Sequence, residues 1–173
     1  PNPGPDFGAT MFLGCRQLQK VPSNIPVRNM RSIFEGCSVF NQSLGGMQTG
    51  SVENFSNAFK GCTVYNKSIF LWDVSSATNM FGMFQAATSF NQNLSTWGPK
   101  VGNVTSFGSM FIDAVSYNRP MDTWDVSSAS SQGLNNFFNS ARAFSQDLTS
   151  WCVTNFASTP AGFSVGSALT SAQ

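Results

Sequence analysis

One phenylalanine returns along this chain at near-constant intervals, and that recurrence limits the possible folds more than any other feature. It stands at Phe12, Phe34, Phe59, Phe84, Phe111, Phe138 and Phe163, with spacings of 22, 25, 25, 27, 27 and 25 residues. Other columns keep step with it. Six residues later come Leu18, Phe40, Tyr65, Phe90, Tyr117, Phe144 and Leu169. Three residues later comes a small residue: Cys15, Cys37, Cys62, Ala87, Ala114, Ala141 and Gly166. Leu44, Ile69, Leu94, Met121 and Leu148 follow ten after it, and Ile25, Met47, Trp72, Trp97, Trp124 and Trp151 thirteen after it. Met30, Phe55, Met80, Phe107 and Leu134 stand four before it. One such segment carries two or three rings and has nothing of its own to bury them against, so the copies must pack on one another.

Two hydrophobic periods alternate within each segment. Met80, Met83, Phe84 and Ala87 run i, i+3, i+4, i+7, the spacing of one face of a short helix. Trp72 and Val74, like Trp124 and Val126, flank an aspartate, and this alternation predicts a short strand. Turn formers lie between, among them Gly45-Gly46, Gly98-Pro99 and Ser127-Ser128. The reading is a single domain over 1–173: a right-handed α/β solenoid, leucine-rich-repeat-like, of about six and a half repeats with one strand and one helix each. The first repeat is short, and the last stops at Leu169 after its helix half.

The repeat resembles that of the BspA-type leucine-rich-repeat surface proteins, as in NMFGMFQAATSFNQNLSTW from Asn79 and SIFEGCSVFNQSL from Ser32. The resemblance runs from about Phe7 to Leu169. It implies an extracellular or cell-surface location, roles in adhesion, binding or surface coats, and no shared catalytic residues.

Composition narrows the chemistry. Nine basic and eight acidic residues give a net charge of +1 with no basic run, so nothing draws the chain to nucleic acid or an anionic membrane. There is no run of apolar residues long enough to insert in a membrane. The chain opens on Pro1, which reads as a processed or excised piece. With no histidine, Ser-His-Asp and Cys-His pairings and histidine metal sites are excluded. Asp122 and Asp125 could form a carboxylate pair, but Asp125 matches Asp73 as the outward residue of a Trp-Asp-Val-Ser-Ser run. The expectation is no enzyme, no cofactor and no metal.

Cys15, Cys37 and Cys62 occupy a column that alanine also fills, so they read as small buried residues, with a disulfide between neighbours left open. Cys152 takes the outward position of Asp73 and Asp125 and is a free thiol or an intermolecular link. Asn41, Asn66, Asn91 and Asn118 form a column suited to side-chain hydrogen bonding between copies. Of the five sequons, those of Asn93 and Asn103 are the most loop-like and are the candidate glycosylation sites. Phe70 and Phe81 fall outside the core columns as candidate surface aromatics.

Neither end reads as a cap. Phe7, Phe12, Phe163, Leu169 and Cys152 are therefore the candidate intermolecular contacts. The functional expectation is a surface-exposed structural or adhesive repeat protein contacting other chains, including copies of itself head to tail in an extracellular filament. A carbohydrate-binding surface module, with glycans as partners, is the alternative.

Overall fold

The computed structural model describes residues 8–22 and 25–169, so Phe7 lies outside the described residues. The expected α/β solenoid does not form. Among the described residues the named elements are two 3-10 helices, Ser95–Lys100 and Gln132–Leu134, and the rest is turn and irregular coil. Among the described residues there is no α-helix and no strand, only isolated parallel bridges from Asn54 to Asn79 and from Asn79 to Ser106.

The missing helix has a local cause. Met80, Met83, Phe84 and Ala87 are all fully buried, as one apolar face would be. Consecutive turns, however, produce the pattern. Met83 N donates to Met80 O, Gln85 N to Gly82 O and Ala87 N to Phe84 O, each three residues back. Gly82 at φ 61° and Ala86 at φ 56° sit in the left-handed region, which no α-helix accommodates. Positive φ recurs two residues before the phenylalanine at Thr10, Ser32, Asn57, Ser109 and Asn136, and two after it at Gly14, Gly36, Gly61, Asp113 and Ser140.

These turns free alternate main-chain groups to pair with the neighbouring segment. Phe34 N donates to Ala58 O at 3.0 Å, Phe59 N to Met83 O at 2.9 Å and Phe84 N to Met110 O at 2.9 Å. Phe111 N continues to Phe137 O at 2.9 Å, and Phe138 N to Phe163 O at 2.7 Å. A second column runs from Gly14 N to Glu35 O, Gly36 N to Lys60 O, Gly61 N to Gln85 O, Ala86 N to Ile112 O, Asp113 N to Asn139 O and Ser140 N to Val165 O. In the peptide unit joining Glu35 to Gly36, the carbonyl thus faces the preceding segment and the N–H the following one.

The rings pack in register with these bonds. Phe12, Phe34, Phe59, Phe84, Phe111 and Phe138 stack in sequence, neighbouring centroids 5.5–5.7 Å apart. Phe40, Tyr65, Phe90, Tyr117 and Phe144 form a second column at 5.9–6.2 Å. Offset pairs of this kind add about 0.5–1.5 kcal/mol each beyond the area they bury.

The expected Trp-Asp-Val strand is absent because side chains replace the main-chain ladder there. Thr49 Oγ1 donates to Asp73 O, Ser76 Oγ to Gly50 O and Thr96 Oγ1 to Phe70 O. Trp72 Nε1 donates to Leu44 O, and Trp151 Nε1 to Met121 O. Without the strand and helix of a leucine-rich repeat, the expected adhesive module and head-to-tail filament lose their structural basis.

Candidate functional site

A concavity of about 710 Å³ lies toward the end of the described chain. Its walls are Trp151, Phe156, Phe163, Leu148, Val153 and Pro160, with hydroxyls of Thr149, Ser158 and Thr159 also lining it. Its lining contains no titratable side chain.

Two departures from the recurring pattern accompany it, Phe156 in its lining and Phe137 packed behind Trp151 and Phe163. Phe137 stands where Ile33, Ala58, Met83 and Met110 stand in earlier segments. Its larger ring meets Phe138 at 77° and Trp151 at 88°, edge-on, where upstream rings lie stacked. Phe163 then crosses Phe138 at 87° and Trp151 at 79°. The second change is Phe156, five residues after Trp151, where Ala77 and Ala129 follow Trp72 and Trp124. Those alanines are buried, whereas Phe156 is only partly covered and packs against the core. Trp151 is 8% exposed and spends its indole N–H on Met121 O at 2.7 Å, which leaves an apolar face for the cavity.

Phe163 is the sequence candidate that enters this cavity. Phe12 and Leu169 are partly buried against the core and do not line it. Cys152, although beside Trp151, is exposed, with Sγ 3.6 Å from Thr154 Oγ1. Sequence reasoning missed Phe156, Val153 and Pro160. The signal for Phe156 was available, as a ring in a column that otherwise holds Val52, Ala77, Gly102 and Ala129.

The remaining candidates are dispersed. Asn93 and Asn103 are exposed. Asn93 Oδ1 accepts from Ser95 N at 2.8 Å, and Asn103 Nδ2 donates to Ser75 O at 3.4 Å. In the asparagine column, Asn41 Oδ1 accepts from Asn66 N, Asn66 Oδ1 from Asn91 N and Asn91 Oδ1 from Asn118 N, at 3.0–3.1 Å. Phe81 is 43% exposed, and Phe70 is half-buried.

All four cysteines are free, Cys15 and Cys152 exposed and Cys37 and Cys62 buried. Cys37 Sγ donates to Phe12 O at 3.1 Å and Cys62 Sγ to Phe34 O at 3.0 Å. Burial pushes the Cys37 thiol up to about 11 and Cys62 further still, so neither is a nucleophile at neutral pH. Among the described residues no group of histidine, cysteine or acid side chains could hold a metal ion. No helix among them is long and apolar enough to cross a membrane.

The carboxylates hold turns. Asp125 Oδ1 accepts from Ser127 Oγ and from Ser127 N at 3.0 Å, and Asp73 Oδ1 from Ser75 N at 3.2 Å. Those hydrogen bonds keep both carboxyls below the usual range, with Lys100, 3.4 Å from Asp73, adding to the effect there.

No curated protein and no solved structure matches the chain. Residues 9–101 and 97–172 match the family described as Mycoplasma protein of unknown function, DUF285. That match corrects the resemblance to the BspA-type leucine-rich-repeat surface proteins drawn from the repeat. The two matched stretches together cover nearly the whole sequence, and the chain therefore belongs to the DUF285 family.

Proposed function

We infer that this chain is a non-catalytic binding protein of the cell exterior, and that its aromatic cavity takes an uncharged apolar side chain of a partner protein. The carrying observation is the cavity itself: three aromatic residues, Leu148 and Val153 around a space with no titratable lining. Such a surface binds by burying apolar area, worth roughly 25 cal/mol per Å², and supplies no acid, base or nucleophile. The absence of histidine and the use of Asp73 and Asp125 as turn acceptors support the non-catalytic reading. The sparse formal charge supports an exterior location.

The test is a titration with benzyl alcohol, an analogue of the phenylalanine side chain, followed through the Trp151 indole resonance by NMR. A saturable shift is expected in the native protein. Val153→Asp, at a 44% exposed position that tolerates a charge, should weaken it at least tenfold. No saturable shift at the highest soluble concentration would overturn the reading.

A further inference from the structure

The last described segment is paired one residue away from where the phenylalanine spacing would put it. In each earlier segment two residues four apart hold positive φ, and the column phenylalanine stands midway between them. Phe84 lies between Gly82 and Ala86, Phe111 between Ser109 and Asp113, and Phe138 between Asn136 and Ser140. In the last segment the positive φ values belong to Gly162, at 65°, and Gly166, at 73°, so the midway residue is Ser164. The hydrogen bonds agree: Asn136 N, Phe138 N and Ser140 N donate to the carbonyls of Ala161, Phe163 and Val165. By spacing alone those acceptors would be Pro160, Gly162 and Ser164.

Two steric demands outweigh the aromatic column here. The register of the spacing would put Ala161 and Val165 in the left-handed conformation, which crowds Cβ against the following carbonyl and is worst for a β-branched residue. The second demand comes from Asn136. In the column of the first left-handed residue, asparagine occurs twice, and both times glycine stands opposite it in the next segment. A Cβ on Gly82 would overlap Asn57 Oδ1, and one on Gly162 would overlap Asn136 Oδ1. Little stacking is lost in exchange, because Phe163 stacks on Phe137 with centroids 6.0 Å apart and planes at 18°. The offset decides where that ring goes. It stands at 87° to Phe138 and 79° to Trp151, and lines the cavity with Trp151.

We propose that Gly162 and Gly166 are the positioning residues of the aromatic cavity: by taking the two left-handed positions they offset the segment by one residue and hold Phe163 in the cavity wall instead of on the phenylalanine column. Neither glycine lines the cavity, so each acts only through Phe163. This rests on the cavity reading above and adds what sets the shape of the binding wall.

The test moves the glycines by one residue and leaves every side chain of the lining in place. The full chain carrying Ala161→Gly, Gly162→Ala, Val165→Gly and Gly166→Ala together is compared with the native protein. NMR coupling across the hydrogen bond from Phe138 N should reach the Phe163 carbonyl in the native protein and the carbonyl of residue 162 in the variant. Benzyl alcohol, followed through the Trp151 indole, should bind the variant roughly tenfold more weakly, since one apolar wall has moved. Gly166→Asn is the control, because asparagine accepts the left-handed conformation and Asp113 already fills the equivalent position at φ 55°. It should change neither the register nor the affinity by more than about twofold. If native protein and variant share one register, or bind benzyl alcohol equally, the positioning role fails while the cavity reading stands. If the native protein does not bind benzyl alcohol, both fail. Should the fourfold variant not fold, Gly166→Val against Gly166→Asn decides. Valine should weaken binding by about fivefold or more and asparagine hardly at all, and equal effects overturn the proposal.

Discussion

Neighbouring segments are joined in two different ways on two sides of the molecule. Around the phenylalanine column, main-chain N–H groups bond to main-chain carbonyls, as from Ser32 to Ser56 and from Phe34 to Ala58. Around the asparagine and tryptophan columns, side chains make many of the links, as from Thr63 Oγ1 to Ser38 O and from Asn91 N to Asn66 Oδ1. The first side asks of each residue only that it adopt the required φ and ψ, so Ser32, Asn57, Gly82 and Ser109 interchange there. The second asks for a particular functional group, and asparagine recurs at four successive positions. Main-chain pairing tolerates sequence change, whereas side-chain pairing records it.

The largest test removes what both sides share. Phe84→Ala deletes a fully buried ring stacked on Phe59, Phe90 and Phe111, and should cost about 3–5 kcal/mol in denaturant unfolding. Phe81→Ala, at an exposed position, should stay within about 0.5 kcal/mol. Equal losses would mean that the columns are not the core.

Next in size is Asn91→Ala, which strips the acceptor from Asn118 N at 3.1 Å and should cost about 1–2 kcal/mol. A loss on the main-chain side from truncating an exposed polar side chain, such as Arg31→Ala, should be much smaller. If the two match, the contrast between the sides is false.

Ala86→Gly should go the other way. Gly14, Gly36 and Gly61 already fill this column, and Ala86 holds φ 56° at a steric cost that glycine avoids. A gain of about 0.5–1 kcal/mol is expected, the strain relief exceeding glycine's entropic penalty. A rise in melting temperature checks it, and a fall would show that the Ala86 methyl contributes packing.

The smallest effect is in acid. Asp73 and Asp125 have folded-state pKa values depressed by their serine partners, so their contribution is present above the unfolded value of about 3.9 and is lost as pH falls through the folded values. Both carboxylates are largely in solvent, which limits the effect to a few tenths of a kcal/mol. Ser127→Ala should flatten the stability profile below pH 4 and leave neutral pH nearly unchanged.

The core was legible in the sequence, and the elements around it were not. Burial follows side-chain volume and polarity, which recur in register, so Phe34, Phe59, Phe84 and Phe111 could be placed in one column before any coordinates. Main-chain conformation follows φ, which Ser32, Asn57 and Ala86 do not announce. The apolar spacing of Met80, Met83, Phe84 and Ala87 fits a helix face and a run of turns equally well. Glycines at 14, 36 and 61, two residues after each phenylalanine, were the clue against a helix. At the candidate site, Phe163 reads from its spacing as a member of the phenylalanine column, but the pairing of Phe138 N with Phe163 O shifts it by one residue, so that it stacks on Phe137 instead; Phe137 and Phe156 were legible only as departures from their columns.

The common direction of the main-chain bonds gives the molecule an electrical axis. Each peptide unit has a moment of about 3.5 D, and units such as Glu35–Gly36 and Lys60–Gly61 add head to tail rather than cancel. The negative pole lies at the first described segment and the positive pole at the last. Formal charges are sorted against it: Arg16, Lys20, Arg28 and Arg31 gather at the negative pole, ahead of the first described acid, Glu35. Asp113, Asp122, Asp125 and Asp147 lie toward the positive one, where with Arg119 and Arg142 among them they leave a net negative charge. A net charge balance of this sign is the one that favours the termini of an α-helix, in a protein that contains none among its described residues.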